Sequence, residues 1–422
     1  MNYSIVTVAE VLEAEILSTG SISTNLKHLL IDSRKIDHAE NSLFFAIKGG
    51  QHDGHKYISE LFEKGVKNFV VEKYPSNLER LNGANFIVVP NSLEALQKLT
   101  SWHRKNFRIP VIGITGSNGK TIIKEWLYQL LREDKNIVRS PKSYNSQVGV
   151  PLSVWQIKDE HQLGIFEAGI SESGEMKNLE EIISPTIGVF TNIGHAHAEN
   201  FRNINQKISE KLKLFVKSNS LIYCKDYVLL HDEITSERTL EHLKLFTWSR
   251  KTKADLQITK VKKTGVGSEL QGIYKNEFIE MKIPFTDDAS VENAIHCWAV
   301  MLFLNYTHKA ISDRMAHLTP VAMRLELKEG INNCSIINDS YNSDLGSLSI
   351  ALDFLNQQKQ HTKKTIIISD ILQSGKDEDS LYKEVAELLS KKGVNKLIGK
   401  NTIAIKIHSP NLPILSAPLF LR

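Results

Sequence analysis

Gly116, Ser117, Asn118, Gly119, Lys120 and Thr121 form a short run, G-S-N-G-K-T, between the apolar stretch PVIGIT and the amphipathic stretch TIIKEWLYQLL. The first stretch has the pattern of a buried strand and the second that of a helix, so the run occupies a strand-to-helix turn. Phosphate binding is the chemistry such a turn can do. Its glycines let the backbone curl N–H groups around an anion at the positive helix end, Lys120 adds a point charge for the outer phosphates, and the Thr121 hydroxyl can ligate Mg2+. The general phosphate-loop pattern G-x-x-x-x-G-K-[ST] asks for glycine where this chain has Ile114. By residues alone the run is either a loop of different spacing or a glycine-rich turn with a solvated lysine.

Two later strand patterns also end in polar groups: IFEAG with Glu167, and TNIGHAH with Asn192, His195 and His197. Open parallel sheets bind ligands at the carboxyl ends of their strands, which makes these residues candidates for holding a metal beside a nucleotide. A carboxylate suits Mg2+; histidine is an unusual ligand for that hard ion. Further on, NINQKISEKLKLF places Ile204, Ile208 and Leu212 on one helical face, flanked by Lys207, Glu210 and Lys211. Spacing alone reads those charges as a solvated flank.

The elements that must carry these groups alternate. Residues 1 to about 105 mix short apolar runs (SLFFAI, NFVVE, NFIVV) with helical patterns such as SLEALQKLTSWHRK, as in a small α/β domain, and the basic HRKNFRIP reads as a linker. From Pro110, strands alternate with helices, which implies a parallel sheet. Residues about 254 to 285 alternate at period two with glycine breaks and predict antiparallel strands, followed by a helix around Asn293 to Leu304. A third α/β pattern follows HLTPVAMR. The 422 residues, 41% hydrophobic and 24% charged, fit a globular protein of two or three domains. A net charge of +4 with dispersed basic residues gives no support to a nucleic-acid partner, and no apolar run is long enough for membrane insertion. Cys224, Cys297 and Cys334 are far apart, which fits a reducing, cytoplasmic setting better than disulfides or zinc.

The motifs GITGSNGKT, SYNSQVGVPLSV, FEAGISESGE, TNIGHAHAENF, ISEKLKLF, MRLE and NDSYNSDLGSLSIALDFL follow IDSRKIDHAENSLFFAIKGGQHDGHKYI in the order and spacing of the Mur ligases. The chain resembles that family from its N-terminal region to LIGK, which ends at residue 400. Mur ligases carry a shortened loop, G-x-x-G-K-T, which Gly116 to Thr121 match without a glycine at Ile114. The resemblance implies an α/β fold of three domains: 1–106 binding a UDP-sugar, 107–316 a central ATPase domain with a phosphate loop on a parallel sheet, and 317–422 a Rossmann-like domain. It also implies an ATP- and Mg2+-dependent ligase that joins a carboxylate to an amine through an acyl phosphate. The pattern is most similar to members that add D-alanyl-D-alanine to UDP-N-acetylmuramoyl-tripeptide, a cytoplasmic step of peptidoglycan synthesis serving cell shape and division. A monomer is the expected state.

Carried over by motif, Lys120 would bind the outer phosphates, and Thr121, Glu167 and His197 would serve Mg2+; His195 matches no functional position. Lys211 falls where the family carries a carbamylated lysine, whose anionic carbamate can hold a second metal ion. Asn293 would contact adenine, Arg324 the phosphates and Asp339 the ribose. Ser33 and Arg34 would meet the uridine nucleotide, and Asn145 lies in a substrate segment; Asp53, Gly54 and His55 match a motif to which no role is assigned. The chain departs from the family pattern in NDSYNSDL, in Ala289 and Ser290 ahead of Asn293, in Met323 before Arg324 and in Lys213 after Lys211. These departures resemble a branch fused to a C-terminal alanine racemase, and no racemase pattern is present. After Lys400 the resemblance stops, and NTIAIKIHSPNLPILSAPLFLR reads as a proline-broken apolar tail, so an incomplete third domain is expected. A non-catalytic nucleotide- or UDP-sugar-binding remnant, another Mur-type ligase and a generic phosphate-loop kinase or switch are the competing readings.

Overall fold

A computed structural model describes residues 3–20, 25–50, 52–194, 200–341, 344–358, 361–371 and 377–399, with the backbone of Ile414–Ser416. The chain gathers into two compact units, one of residues 1–113, 135–168 and 177–185, the other of 114–134, 169–176 and 186–422.

The first unit opens with a five-stranded sheet in the order Glu15–Ser18, Asn85–Val88, Asn68–Val71, Ser42–Phe45, His28–Leu30. It is parallel except at Glu15–Ser18. Its inner strands are apolar at successive positions because both faces are covered. Leu43, Phe45, Val70 and Ile87 enter one core with residues of helices Ile5–Leu12 and Ser92–Lys105, while Phe44, Phe69, Val71 and Phe86 enter another. HRKNFRIP is more than a linker: His103 and Arg104 belong to the last turn of the second helix, and Arg104 is 6% exposed. Its guanidinium donates to the carbonyls of Ile183 (3.0 Å), Phe107 (2.6 Å) and Ser184 (3.2 Å), so a charge that reads as solvated fixes a chain crossing.

The strand before the phosphate loop, β1 (Val111–Thr115), belongs to a nine-stranded sheet with β2 (Ile137–Arg139), β3 (Leu163–Glu167), β4 (Ile187–Phe190), β5 (Ser220–Cys224), β6 (Lys244–Ser249), β7 (Leu256–Lys263), β8 (Ser268–Tyr274) and β9 (Glu277–Ile283). The order is β9-β8-β7-β6-β5-β4-β1-β3-β2. The pairs β2–β3, β4–β5, β5–β6 and β6–β7 are parallel, and β7–β8–β9 are antiparallel as their period-two pattern predicts. The chain runs from β1 to one side of the sheet and returns to its other side at β4. The carboxyl end of the strand at which such a reversal occurs is the usual place for a ligand in open α/β sheets.

Five helices matter for the site or its surroundings: α1 (Lys120–Leu131), α2 (Glu175–Ile183), α3 (Ile204–Leu212), α4 (Asp288–Phe303) and α5 (Leu345–Gln357). Beyond α4, Glu326–Glu329 and Ser335–Asn338 pair antiparallel, and Thr365–Ile368 pairs in parallel with Lys396–Gly399. Leu348, Leu352, Leu381, Val385, Leu389 and Leu397 form a core there. The segment read as an apolar tail contains one strand, Ile414–Ser416, parallel to Lys396–Gly399; the rest of it lies outside the described residues. Among the described residues no helix is long and apolar enough to cross a membrane.

Candidate active site

Every residue of β1 is buried, and the chain leaves it through two glycines whose conformations other residues resist. Gly116 has φ +141°, and a Cβ there would lie 2.0 Å from Thr191 Oγ1; Gly119 has φ +83°, and a Cβ would lie 2.3 Å from Asn293 Oδ1. The loop is therefore pressed between the end of β4 and helix α4. Asn192 shapes it from one side: its carbonyl accepts the Ser117 N–H and its Oδ1 accepts the Asn118 N–H, each at 2.9 Å. The Thr191 hydroxyl donates to the Asn118 carbonyl, and the Gly194 N–H donates to Ser117 Oγ at 2.8 Å. Gly119 is the N-cap of the 12-residue helix α1 and brings no capping side chain, so the first-turn amides and the helix dipole are directed at the loop.

Three lysines converge here. Lys120 Nζ donates to the carbonyls of Gly116 (2.8 Å) and Ser117 (3.1 Å), Lys211 Nζ to Gly116 (3.3 Å), and Lys207 Nζ to Gly194 (2.5 Å). The expected solvated flank of α3 is thus incorrect: Lys207 and Lys211 are each 3% exposed and Glu210 is 2% exposed. Periodicity locates the apolar side of a helix but not the polarity of its neighbour, and this neighbour offers loop carbonyls and amides. Glu210 accepts the N–H groups of Gly174 (2.8 Å) and Met176 (3.3 Å) at the start of α2, and Lys213 Nζ at 2.6 Å. Burial, together with the like charges of Lys120 and Lys207, drives the Lys211 amine well below the usual lysine range. Burial and Lys120 lower Lys207 to about 8, against an opposing pull from Asp344. Lys207 and Glu210 are the site residues that sequence reasoning set aside; the i, i+4 pairing of Lys207 with Lys211 across buried Ile208 is the signal that could have retained them.

The other expected residues fall into separate groups. Glu167, fully buried at the end of β3, accepts Asn145 Nδ2 at 3.5 Å through Oε2, and its N–H donates to Ser140 Oγ at 3.2 Å, so these two candidates meet. Asn293, buried on α4, sets its carboxamide against Gly119. Asp339 accepts the Leu325 N–H at 3.3 Å and is raised to about 6 by burial, while the Arg324 guanidinium lies 4.3 Å from the centre of the Tyr341 ring. Ser33 is buried; Arg34 is 85% exposed at its side chain and grips Asp32 through two 2.9 Å bonds, which hold that carboxyl down at about 2. Asp53 and His55, left without a role, have a structural one. The His55 Nε2 accepts the Glu72 N–H (3.0 Å), which leaves Nδ1 as the donor to Asp53 (2.6 Å). His195 and His197 lie outside the described residues.

Among the described residues no three His, Cys, Asp or Glu side chains assemble around a metal site. The donors assigned to Mg2+ are a hydroxyl, Thr121, a carboxylate, Glu167, and an imidazole, His197, which lies outside the described residues, with Lys211 able to offer oxygen only as a carbamate. Oxygen donors fit that hard ion.

Comparison with known proteins agrees with this architecture. A family model described as "Mur ligase middle domain" matches residues 114–301, and one described as "Mur ligase family, catalytic domain" matches 25–104, together well over half the chain. The UDP-N-acetylmuramoyl-tripeptide--D-alanyl-D-alanine ligase of Rickettsia prowazekii is 29% identical over 398 residues, covering 93% of this chain and 86% of that protein. Crystal structure I of MurF from Acinetobacter baumannii superposes with a TM-score of 0.84 at 21% identity, covering 98% of this chain and 89% of that one. MurF ligase from Thermotoga maritima, solved in complex with ADP, gives 0.76 at 22% identity over 92% of this chain and 88% of that one. This chain belongs to the Mur ligase family of ATP-dependent amide ligases and is MurF-like within it.

Proposed function

We propose that this chain joins D-alanyl-D-alanine to a UDP-N-acetylmuramoyl-tripeptide at the expense of ATP, in the synthesis of peptidoglycan precursors. The observation that carries the reading is the set of three lysine amines, those of Lys207 and Lys211 buried, that meet at a glycine-shaped phosphate loop. The similarity to a ligase of that activity across 93% of the chain supports this choice of substrates. The terminal carboxylate of the tripeptide attacks the γ-phosphorus of ATP, the bond to the β-phosphate oxygen breaks, and acyl phosphate and ADP result. The amine of D-alanyl-D-alanine then adds to the acyl carbon, phosphate leaves, and the nitrogen gives up its proton. Negative charge grows on the transferring phosphoryl oxygens, where the Lys120 ammonium and the α1 amides neutralise it.

Thr121, Glu167, His197 and a carbamate on Lys211 are the groups we assign to Mg2+, which supplies further charge neutralisation when bound. The depressed basicity of Lys211 favours the neutral amine that must attack CO2 to form the carbamate. Asn293 is assigned to adenine, Arg324 to phosphate and Asp339 to ribose, with Ser33 and Arg34 on the uridine nucleotide and Asn145 on the peptide substrate. The test is phosphate release by purified chain with ATP and Mg2+, expected only when both UDP-N-acetylmuramoyl-tripeptide and D-alanyl-D-alanine are added. No release would overturn the reading; release with the dipeptide precursor and a single amino acid would move the chain to a different ligase of the family.

A further inference from the structure

Lys207 has no place in the chemistry described so far, yet it is as buried as Lys211 and reaches the same loop. A buried ammonium is costly, and such a group persists where its surroundings or a ligand repay it. Its bond to the Gly194 carbonyl ties it to Ser117, because the Gly194 N–H donates to Ser117 Oγ. The charge of Lys120 lowers its basicity and that of Asp344 raises it. Asp344 is the N-cap of α5, accepting the Ser347 N–H at 2.9 Å, and the first turn of that helix lies against the loop: a Cβ on Gly346 would stand 3.6 Å from Asn118 Nδ2. The loop that Lys207 reaches through Gly194 is therefore also met by the first turn of the helix that Asp344 caps.

We propose that Lys207 is a phosphate-binding residue of the nucleotide site and that Asp344 competes with the phosphates for its charge. The inference rests on the ATP-binding reading above and adds two residues to it. Polyphosphate brings several negative charges to Lys120 and Lys207; Asp344 offers one, fixed by its capping bonds and unable to leave without uncapping α5. Nucleotide binding then works against a small resident repulsion, which sets affinity below what the amines alone would give.

The experiment is calorimetric titration of the full chain, at low ionic strength, with ATP, with inorganic tripolyphosphate and with adenosine. Lys207→Met is expected to weaken ATP and tripolyphosphate roughly ten- to hundred-fold, the range of a charge-assisted hydrogen bond, and to leave adenosine unchanged. Lys207→Arg should recover most of the loss. Asp344→Asn keeps an oxygen for the cap and should tighten tripolyphosphate several-fold, but not in the Lys207→Met background. Thermal unfolding without ligand separates a structural role: Lys207→Met should be at least as stable as the parent, since it replaces a buried charge by an apolar chain of similar length. Unchanged tripolyphosphate affinity in Lys207→Met, equal loss for adenosine, or no gain from Asp344→Asn would overturn the proposal; the last holds even if Lys207→Met fails to fold. If the parent chain binds neither ATP nor tripolyphosphate, this proposal and the ligase reading fall together. If it binds both and Lys207→Met binds equally, only this proposal falls.

Discussion

Lys120 and Lys211 donate to the same carbonyl, that of Gly116, but they are asked to do different chemistry. In the proposed reaction Lys120 acts as a cation. Lys211 acts there only after losing its charge, so its replacement should separate binding from turnover: Lys211→Ala is expected to keep nucleotide affinity and lose at least roughly a hundred-fold in turnover, as removal of a transition-state stabiliser does. Activity of the parent chain should also fall in CO2-depleted buffer and return with bicarbonate. A second expectation concerns pH. Lys207 titrates near 8 when folded, against 10.5 for an ordinary lysine. Between those values the unfolded chain holds a proton that the folded chain has released, so stability rises with pH, by at most about 1.4 kcal/mol per unit, and the gain is complete above the unfolded value and absent below the folded one. Lys211 contributes with the same sign. The thermal midpoint of the ligand-free chain should therefore climb between pH 8 and 9.5, with a shallower climb in Lys207→Met.

Among the elements, β1, the loop and α1 were legible because an apolar run, two glycines and an amphipathic run each admit one local structure. The antiparallel β7, β8 and β9 were legible for a similar reason, their strict alternation leaving one face for the core. Helix α3 was legible as a helix, and its burial was not. Ile208 and Leu212 mark one side of it, but Lys207, Glu210 and Lys211 are just as buried because their partners are backbone groups of the loop, of Gly194 and of the start of α2, which have no signature in side-chain pattern. Arg104 escaped notice in the same way. Glu210 supplies the test at this scale. Glu210→Ala leaves the amides of Gly174 and Met176 without their acceptor and should destabilise the chain by about 1–3 kcal/mol in urea unfolding, whereas Glu210→Gln, which retains an oxygen, should cost less.

For the molecule as a whole, the nine-stranded sheet gathers segments distant in sequence in the order β9-β8-β7-β6-β5-β4-β1-β3-β2. No local pattern announces that order, since it is made by pairing between distant segments. The N-terminal candidates, Ser33 and Arg34, belong to the first unit and the phosphate loop beyond Gly113 to the second. Arg34→Ala should accordingly raise the KM for the UDP-sugar peptide several-fold while leaving the dissociation constant for ATP unchanged, a split that kinetics and calorimetry can read together. The bonds from Asn192 to the loop have a consequence in time rather than in affinity. Because the backbone carbonyl and carboxamide of one residue already hold the Ser117 and Asn118 amides, the turn is folded to shape before an encounter. A triphosphate that arrives has no loop to wait for, and the speed of capture is left to diffusion and to the pull of the lysines gathered at the loop.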